Sequence, residues 1–211
     1  MGSRVFRWPR QQRARSRVLS DDEIRALWKI APEFGSFGAL CQVLLLTGQR
    51  LAKVALLQRE DVVDGVWVIR TEKGEKSNAE TLPLPPMLQR IIAAQPKIVD
   101  HPFVFASARY RSSHKRALDK RLKAELGALK PWVVHDLRRT ARSLMSRAKV
   151  RRDHAERVLG HAIPGIEGVY DQYSYQTEKG EALAKLANLV AKIVKNADLK
   201  IGKGKTLLIA G

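Results

Sequence analysis

The chain has 211 residues, 45% of them hydrophobic, and its 39 lysines and arginines against 21 acids leave a formal net charge of +18. That is apolar material for one sizeable core and too much for a disordered polycation, while the positive field selects a polyanion as partner, nucleic acid ahead of a membrane surface. No run of about 18 apolar residues and no leader pattern is visible, and the single Cys41 has no partner for a disulfide or a thiolate metal site, which argues against membrane-spanning and disulfide-stapled classes and for a reducing cytoplasm.

Residues 1–17 are rich in arginine and carry no acid, so they read as a basic lead-in to a folded domain over 18–198. Ser20-Asp21-Asp22-Glu23 has the form of a capping box, ahead of Ile24, Leu27, Trp28 and Ile30 on one helical face. A second helix is predicted from about 37 to 46, stopping at Thr47-Gly48 because glycine takes the left-handed conformation that ends helices. Gln49 and Arg50 follow at that corner, and residues 51–57 read as a short third helix. Asp61 to Asp64 turn the chain into a strand at 66–70, and Leu82-Pro83-Leu84 return after the charged stretch 71–81. The pattern predicts a small antiparallel sheet with a charged hairpin.

Pro85-Pro86 start a helix through Ile91-Ile92. A short apolar piece at 103–106 precedes a helix capped near Ser112-Ser113 and running to Gly127. Pro131-Trp132 then deliver the chain to His135-Asp136-Leu137-Arg138-Arg139-Thr140, a helix start that puts an imidazole and a guanidinium at i and i+3, on one face. Such a pair suits a phosphodiester, although the spacing by itself is a weak signal. A further helix carries Ala155, Val158 and Leu159 and ends at Gly160-His161. The last, over about 177–196, spaces Leu183, Leu186, Leu189, Val190, Ile193 and Val194 by threes and fours. Residues 199–211 form a tail, with a glycine-lysine linker and a small apolar end at 206–210. The fold class expected is α+β, mainly helical with a small antiparallel sheet.

Four signals stand in order along the chain: Thr47-Gly48-Gln49-Arg50, His135-Asp136-Leu137-Arg138, Leu159-Gly160-His161, and Tyr170 nine residues after His161. Together, over about 18–196, they resemble the catalytic domain of the tyrosine recombinases, the phage-type integrases. The resemblance implies that Arg50 and Arg138 clamp a scissile phosphate and that Tyr170 attacks it to give a 3′-phosphotyrosine and a free 5′-hydroxyl. It implies that His135 positions the phosphate and assists proton transfer, and that His161 hydrogen-bonds a non-bridging oxygen. A lysine on the hairpin would act as general acid for the leaving 5′-oxygen; that falls on Lys76, with Lys73 the alternative. Tyr173 and Tyr175 are the rivals for the nucleophile.

The residues make chemical sense without the family. A phenol of pKa about 10 needs fixed positive charge nearby and an acceptor for its proton. Donors preorganised around the non-bridging oxygens stabilise the transition state, so neither a metal nor another cofactor is expected. The implied partners are a double-stranded DNA attachment site and, in the synaptic complex, three further copies of the chain. An isolated domain would be monomeric, and the setting a prokaryotic cytoplasm at the nucleoid. The resemblance has two departures. The family commonly carries an acid three residues after the first arginine, where this chain has Lys53, and it normally has DNA-binding domains ahead of the catalytic one. Two other readings share the fold: a DNA-binding module whose chemistry has lapsed, and a type IB topoisomerase-like nicking-closing enzyme. Arg139, Arg142 and Arg147 are expected on the DNA-facing or solvent side of their helix, and Trp28, Trp67 and Trp132 in apolar packing.

Overall fold

The computed structural model describes residues 16–75, 77–99, 101–105, 112–161 and 173–201, with side chains described as far as 195. The basic lead-in before residue 16, Lys76, the segment 162–172 with Tyr170, and the tail beyond 201 lie outside the described residues.

Helix α1 (Asp21–Ile30) opens with the expected capping box: the Ser20 hydroxyl accepts from the Glu23 amide at 3.2 Å, and Glu23 accepts from the Ser20 amide at 2.8 Å. Each satisfies a helix-end donor that would otherwise have no partner. A 3₁₀ turn (Ala31–Phe34) holding Pro32 links it to α2 (Gly35–Thr47). By length and composition Asp21–Thr47 could cross a membrane, but α2 is enclosed by the domain: Leu40, Cys41, Val43, Leu45 and Leu46 have no exposed surface. A helix apolar on every side is a core helix when other elements surround it, and each such leucine contributes about 1.5–3 kcal/mol by burial. Burial also pushes the Cys41 thiol up to about 12, leaving it protonated and inert.

Helix α2 ends at Gly48 in the left-handed conformation, and α3 (Leu51–Ala55) follows, two residues shorter than the spacing predicts. A three-stranded antiparallel meander then runs β1 (Val62–Val63), β2 (Val66–Val68), β3 (Thr81–Pro83). Strand β1 is an addition to the predicted hairpin. It pairs with β2 across Asp64-Gly65, both at positive φ, the geometry of a two-residue hairpin turn. Trp67 and Leu82, partners across β2 and β3, are buried against the helices.

Helices α4 (Pro86–Ala93), α5 (Ser112–Leu126), α6 (His135–Arg147), α7 (Arg152–Leu159) and α8 (Gln176–Ile201) complete the fold. The core is contributed by α2, the inner faces of α1, α5, α6 and α8, and the inner side of the sheet. The expected α+β class holds, with the helices dominant. Trp67 and Trp132 are buried and Trp28 is partly buried against the core, so the tryptophans pack as expected. Lys179, on the first turns of α8 and 3% exposed, donates to the Ala79 carbonyl at 2.9 Å and fastens that helix to the base of the β2–β3 loop. The other face of the same loop meets Gly160 at the end of α7, and through Glu75 and Ser77 the loop reaches Arg50.

Candidate active site

Three helix ends and one loop meet at the cluster: the α2–α3 corner, the start of α6, the end of α7, and the loop between β2 and β3. At the start of α6 no side chain precedes the helix as a cap. Asp136, wholly buried, turns back to accept from the Val133 amide at 2.8 Å and takes the Arg139 guanidinium at 2.6 Å. Trp132, Val134 and Leu137 are buried around it and His135 is left exposed, so the motif fixes the register that turns the imidazole outward.

Arg138, one turn on, is 7% exposed. Its Nη1 donates to the carbonyls of Gly48 at 2.7 Å and Leu159 at 3.0 Å, tying α6 to the ends of α2 and α7, and its Nη2 lies 2.6 Å from Nε2 of His161. Among the described residues no carboxylate bonds to this guanidinium. Desolvation, and then the neighbouring charge of Arg50, push its pKa down to about 10. It stays cationic at neutral pH and is an under-compensated buried charge.

His161 follows Gly160, the left-handed residue that ends α7. A guanidinium can only donate, so Nε2 is the acceptor from Arg138. Nδ1 therefore carries the proton and donates to Glu156 at 2.5 Å. Glu156 also takes Arg142 at 2.9 Å. Burial works to raise the Glu156 carboxyl, but the bonds from His161 and Arg142 outweigh it and hold the carboxyl below the ordinary glutamate value. Folding thus favours the ionised form; the stabilisation is present above the unfolded value and is lost as pH falls through the lower folded one. Glu156→Gln is expected to reduce stability at neutral pH, with the deficit against the wild type shrinking as the pH drops through the carboxylate range, as urea midpoints measured across pH will report.

His135 is held below the ordinary histidine value, first by partial burial and then by the charges of Arg139, Arg138 and Arg50. It is neutral at pH 7 and can accept a proton. Arg50 is exposed, and its Nη1 donates to Oε1 of Glu75 and the carbonyl of Ser77, both at 3.3 Å and both on the β2–β3 loop. The Ser77 hydroxyl in turn donates to the Gly160 carbonyl at 3.1 Å. Lys53, where the family resemblance leads one to expect an acid, is 7% exposed and bound to the same loop, at 2.6 Å from the Arg70 carbonyl and 2.7 Å from Oε2 of Glu75. Gln49, 2% exposed, donates to the Val158 carbonyl at 2.5 Å and sets the α2–α3 corner against α7.

Arg50, His135, Arg138 and His161 are therefore gathered at one edge of the domain. Lys76 and Tyr170 lie outside the described residues, and Lys73 is exposed on the loop. Sequence reasoning missed Glu75 and Glu156 and gave Gln49 no role beyond its place beside Arg50. Of the arginines expected to face DNA or solvent, Arg147 is exposed and Arg139 and Arg142 are half-buried, and each is paired with a carboxylate of the domain: Arg139 with Asp136, Arg142 with Glu156, and Arg147 with Asp21 on α1. Arg70, at the root of the loop, is likewise engaged by Asp61 and Glu60.

Two guanidiniums and two imidazoles thus lie together on a helical domain with a three-stranded meander. The chain belongs to the phage integrase family, whose model matches residues 17–177. No curated protein sequence matches it. Among solved structures it is similar to the XerA recombinase, with a TM-score of 0.56 and 20% identity, covering 80% of this chain and 65% of that one. It is also similar to a lambda integrase (75–356) dimer bound to a COC′ core site, at 0.54 and 19%, covering 70% of this chain and 58% of that one. For a lambda integrase tetramer bound to a Holliday junction the values are 0.54 and 17%, covering 77% and 48%. At these identities the likeness is one of fold, and the chain spans between 48% and 65% of the length of those structures.

Proposed function

We propose that this chain is the catalytic domain of a site-specific DNA recombinase, and the observation that carries the reading is the buried Arg138 guanidinium. Among the described residues it is held by carbonyls and an imidazole with no carboxylate bonded to it, and burial and a second guanidinium outweigh the nearby Glu156 and depress its pKa. Such a site gains most from a ligand carrying diffuse negative charge on several oxygens, and a phosphodiester approaching its pentavalent transition state is one. Arg50 and Arg138 bind the non-bridging oxygens. His135, neutral at physiological pH, takes part in moving the proton of the attacking phenol. With Nδ1–H committed to Glu156, His161 donates to the phosphate only through an Nε2 that has gained a proton.

In this reading Tyr170 is the nucleophile: its oxygen bonds to phosphorus, the bond to the 5′-oxygen breaks, and Lys76, or Lys73, returns a proton to that oxygen. The phosphotyrosine keeps the phosphodiester's free energy, so the reverse attack by a 5′-hydroxyl rejoins a strand without ATP. The partners are a DNA attachment site and further copies of the chain in a synaptic tetramer, in the cytoplasm of a prokaryote. The family membership supports the reading, as do the solved complexes of lambda integrase with a core site and with a Holliday junction. Lys53 gave reason to consider a DNA-binding module without chemistry, but Glu75 supplies Arg50 with a carboxylate partner.

The test is a nicked duplex from which the downstream fragment diffuses after cleavage. The wild-type protein should accumulate a denaturation-resistant protein-DNA adduct, Tyr170→Phe should give none, and Tyr173→Phe and Tyr175→Phe should retain it. A wild-type protein that binds DNA and forms no adduct would leave the binding-module reading in its place.

A further inference from the structure

The ion pairs on the β2–β3 loop form a chain across the site, and this inference rests on the role proposed above for Arg50. Lys53 is nearly enclosed, and its ammonium is used up on the loop: the Arg70 carbonyl at 2.6 Å, Oε2 of Glu75 at 2.7 Å and Oε1 of Glu72 at 3.7 Å. A buried ammonium without a counter-charge is strongly disfavoured, so this contact fixes the Glu75 carboxylate in place. Oε2 of Glu75 takes two further donors, the Glu72 amide at 3.2 Å and the Asn78 side-chain amide at 3.3 Å. Its other oxygen is left to Arg50 alone among the described residues. These bonds outweigh burial and keep the carboxyl below the ordinary glutamate value.

We propose that Glu75, fixed by Lys53, is the positioning residue for Arg50: it grips one terminal nitrogen of the guanidinium and turns the opposite edge toward the DNA phosphate. The geometry of the group permits both at once. A guanidinium presents its donors along separate edges of a plane, and the bonds of Arg50 to Glu75 and Ser77 both leave from Nη1. Nε and Nη2 have no acceptor among the described residues, and the side chain is 44% exposed. Glu75 therefore does not stand in for the phosphate. It removes the rotational freedom of a long exposed side chain that the phosphate would otherwise have to freeze on binding. The bracing comes from the loop that also carries Lys73 and, in sequence, Lys76, so one carboxylate couples the position of Arg50 to that of the loop.

The experiment compares the full chain with Glu75→Gln, Lys53→Glu, Glu75→Lys and the double variant Lys53→Glu/Glu75→Lys. It reads the single-turnover rate of adduct formation, the affinity for the same duplex, and the Nη1–H signal of Arg50, the group that Glu75 holds, by NMR. Glu75→Gln, close in shape, should slow adduct formation on the order of 10²-fold, the scale expected of a reacting group held out of line, while affinity changes little and the Arg50 signal loses its protection from exchange. Each charge-reversed single variant should be slower than the wild type. The double variant places the acid on α3, three residues from Arg50, and should recover most of both the rate and the signal. A faster rate and tighter binding in Glu75→Gln would show that the carboxylate blocks Arg50 and would overturn the proposal, as would a double variant no better than the singles. If the wild type forms no adduct, the recombinase reading fails, and the protection of the Arg50 signal across the same variants still decides the role of Glu75.

Discussion

Arg138→Ala is expected to lower the rate of adduct formation by about 10²–10³-fold and to destabilise the domain in the same stroke. The catalytic part follows from removing a preorganised charged donor aimed at developing negative charge, for which about 2.7–4 kcal/mol is typical. The structural part has a separate origin. The guanidinium is the bridge among three helix ends, and without it the carbonyls of Gly48 and Leu159 are left in a buried site with no donor, at about 1–3 kcal/mol each. Arg138→Lys separates the two: its ammonium restores a positive charge and one or two of the bonds, so stability should recover in part. It cannot hold both carbonyls and still offer a planar fork to the phosphate, so the rate should stay low. Urea denaturation beside the nicked-duplex assay reads both; an alanine variant as stable and as active as the wild type would refute this account of the site.

Gly160→Ala should be nearly as damaging although it removes no functional group. Gly160 has φ +69°, and a β-carbon there would lie 2.5 Å from the Ala79 nitrogen and the Asn78 carbonyl carbon. Those are backbone atoms of the β2–β3 loop, which Lys179 holds from the other side through the Ala79 carbonyl, so the loop cannot easily withdraw. The left-handed conformation adds about 1–3 kcal/mol of strain for a residue with a side chain, and forced overpacking about 1–3 kcal/mol more. The loop would shift away from α7, drawing Glu75 and Ser77 off Arg50 and His161 off Arg138. A fall in melting temperature accompanied by slow cleavage is expected. Gly127→Ala is the control: its φ is +73° with nothing within 4 Å of the added carbon, so it bears the strain alone and should leave cleavage unchanged.

What the sequence made legible was the chemistry that acts within a few residues. The Ser20 capping box, the glycine stops at 48 and 160, and the start of α6 at His135 are all local, and all stand close to where their residues imply. Strand β1 escaped notice because two residues make no periodic pattern, although Asp64-Gly65 flanked by valines is a hairpin signal. Arg50, His135, Arg138 and His161 were visible as an ordered series. Their bracing was not, because Glu75 reaches back 25 residues to Arg50 and Gln49 reaches 109 residues forward to Val158, distances at which a single sequence carries no register. For the same reason the partners of Arg142 and Arg147 went unseen, since Glu156 and Asp21 stand 14 and 126 residues away, whereas Asp136 and Arg139 are an i, i+3 pair that a local reading could have found.

Turns at the tip of a sheet ordinarily drift freely in length between related proteins, since nothing leans on them. The one joining β2 to β3 is clasped at once by Lys53 and Arg50, by Gly160 at the end of α7, and by Lys179 on α8. Adding or deleting a single residue there would slide every grip out of step together. The segment that looks most disposable by position is thus among the least free to change its count of residues.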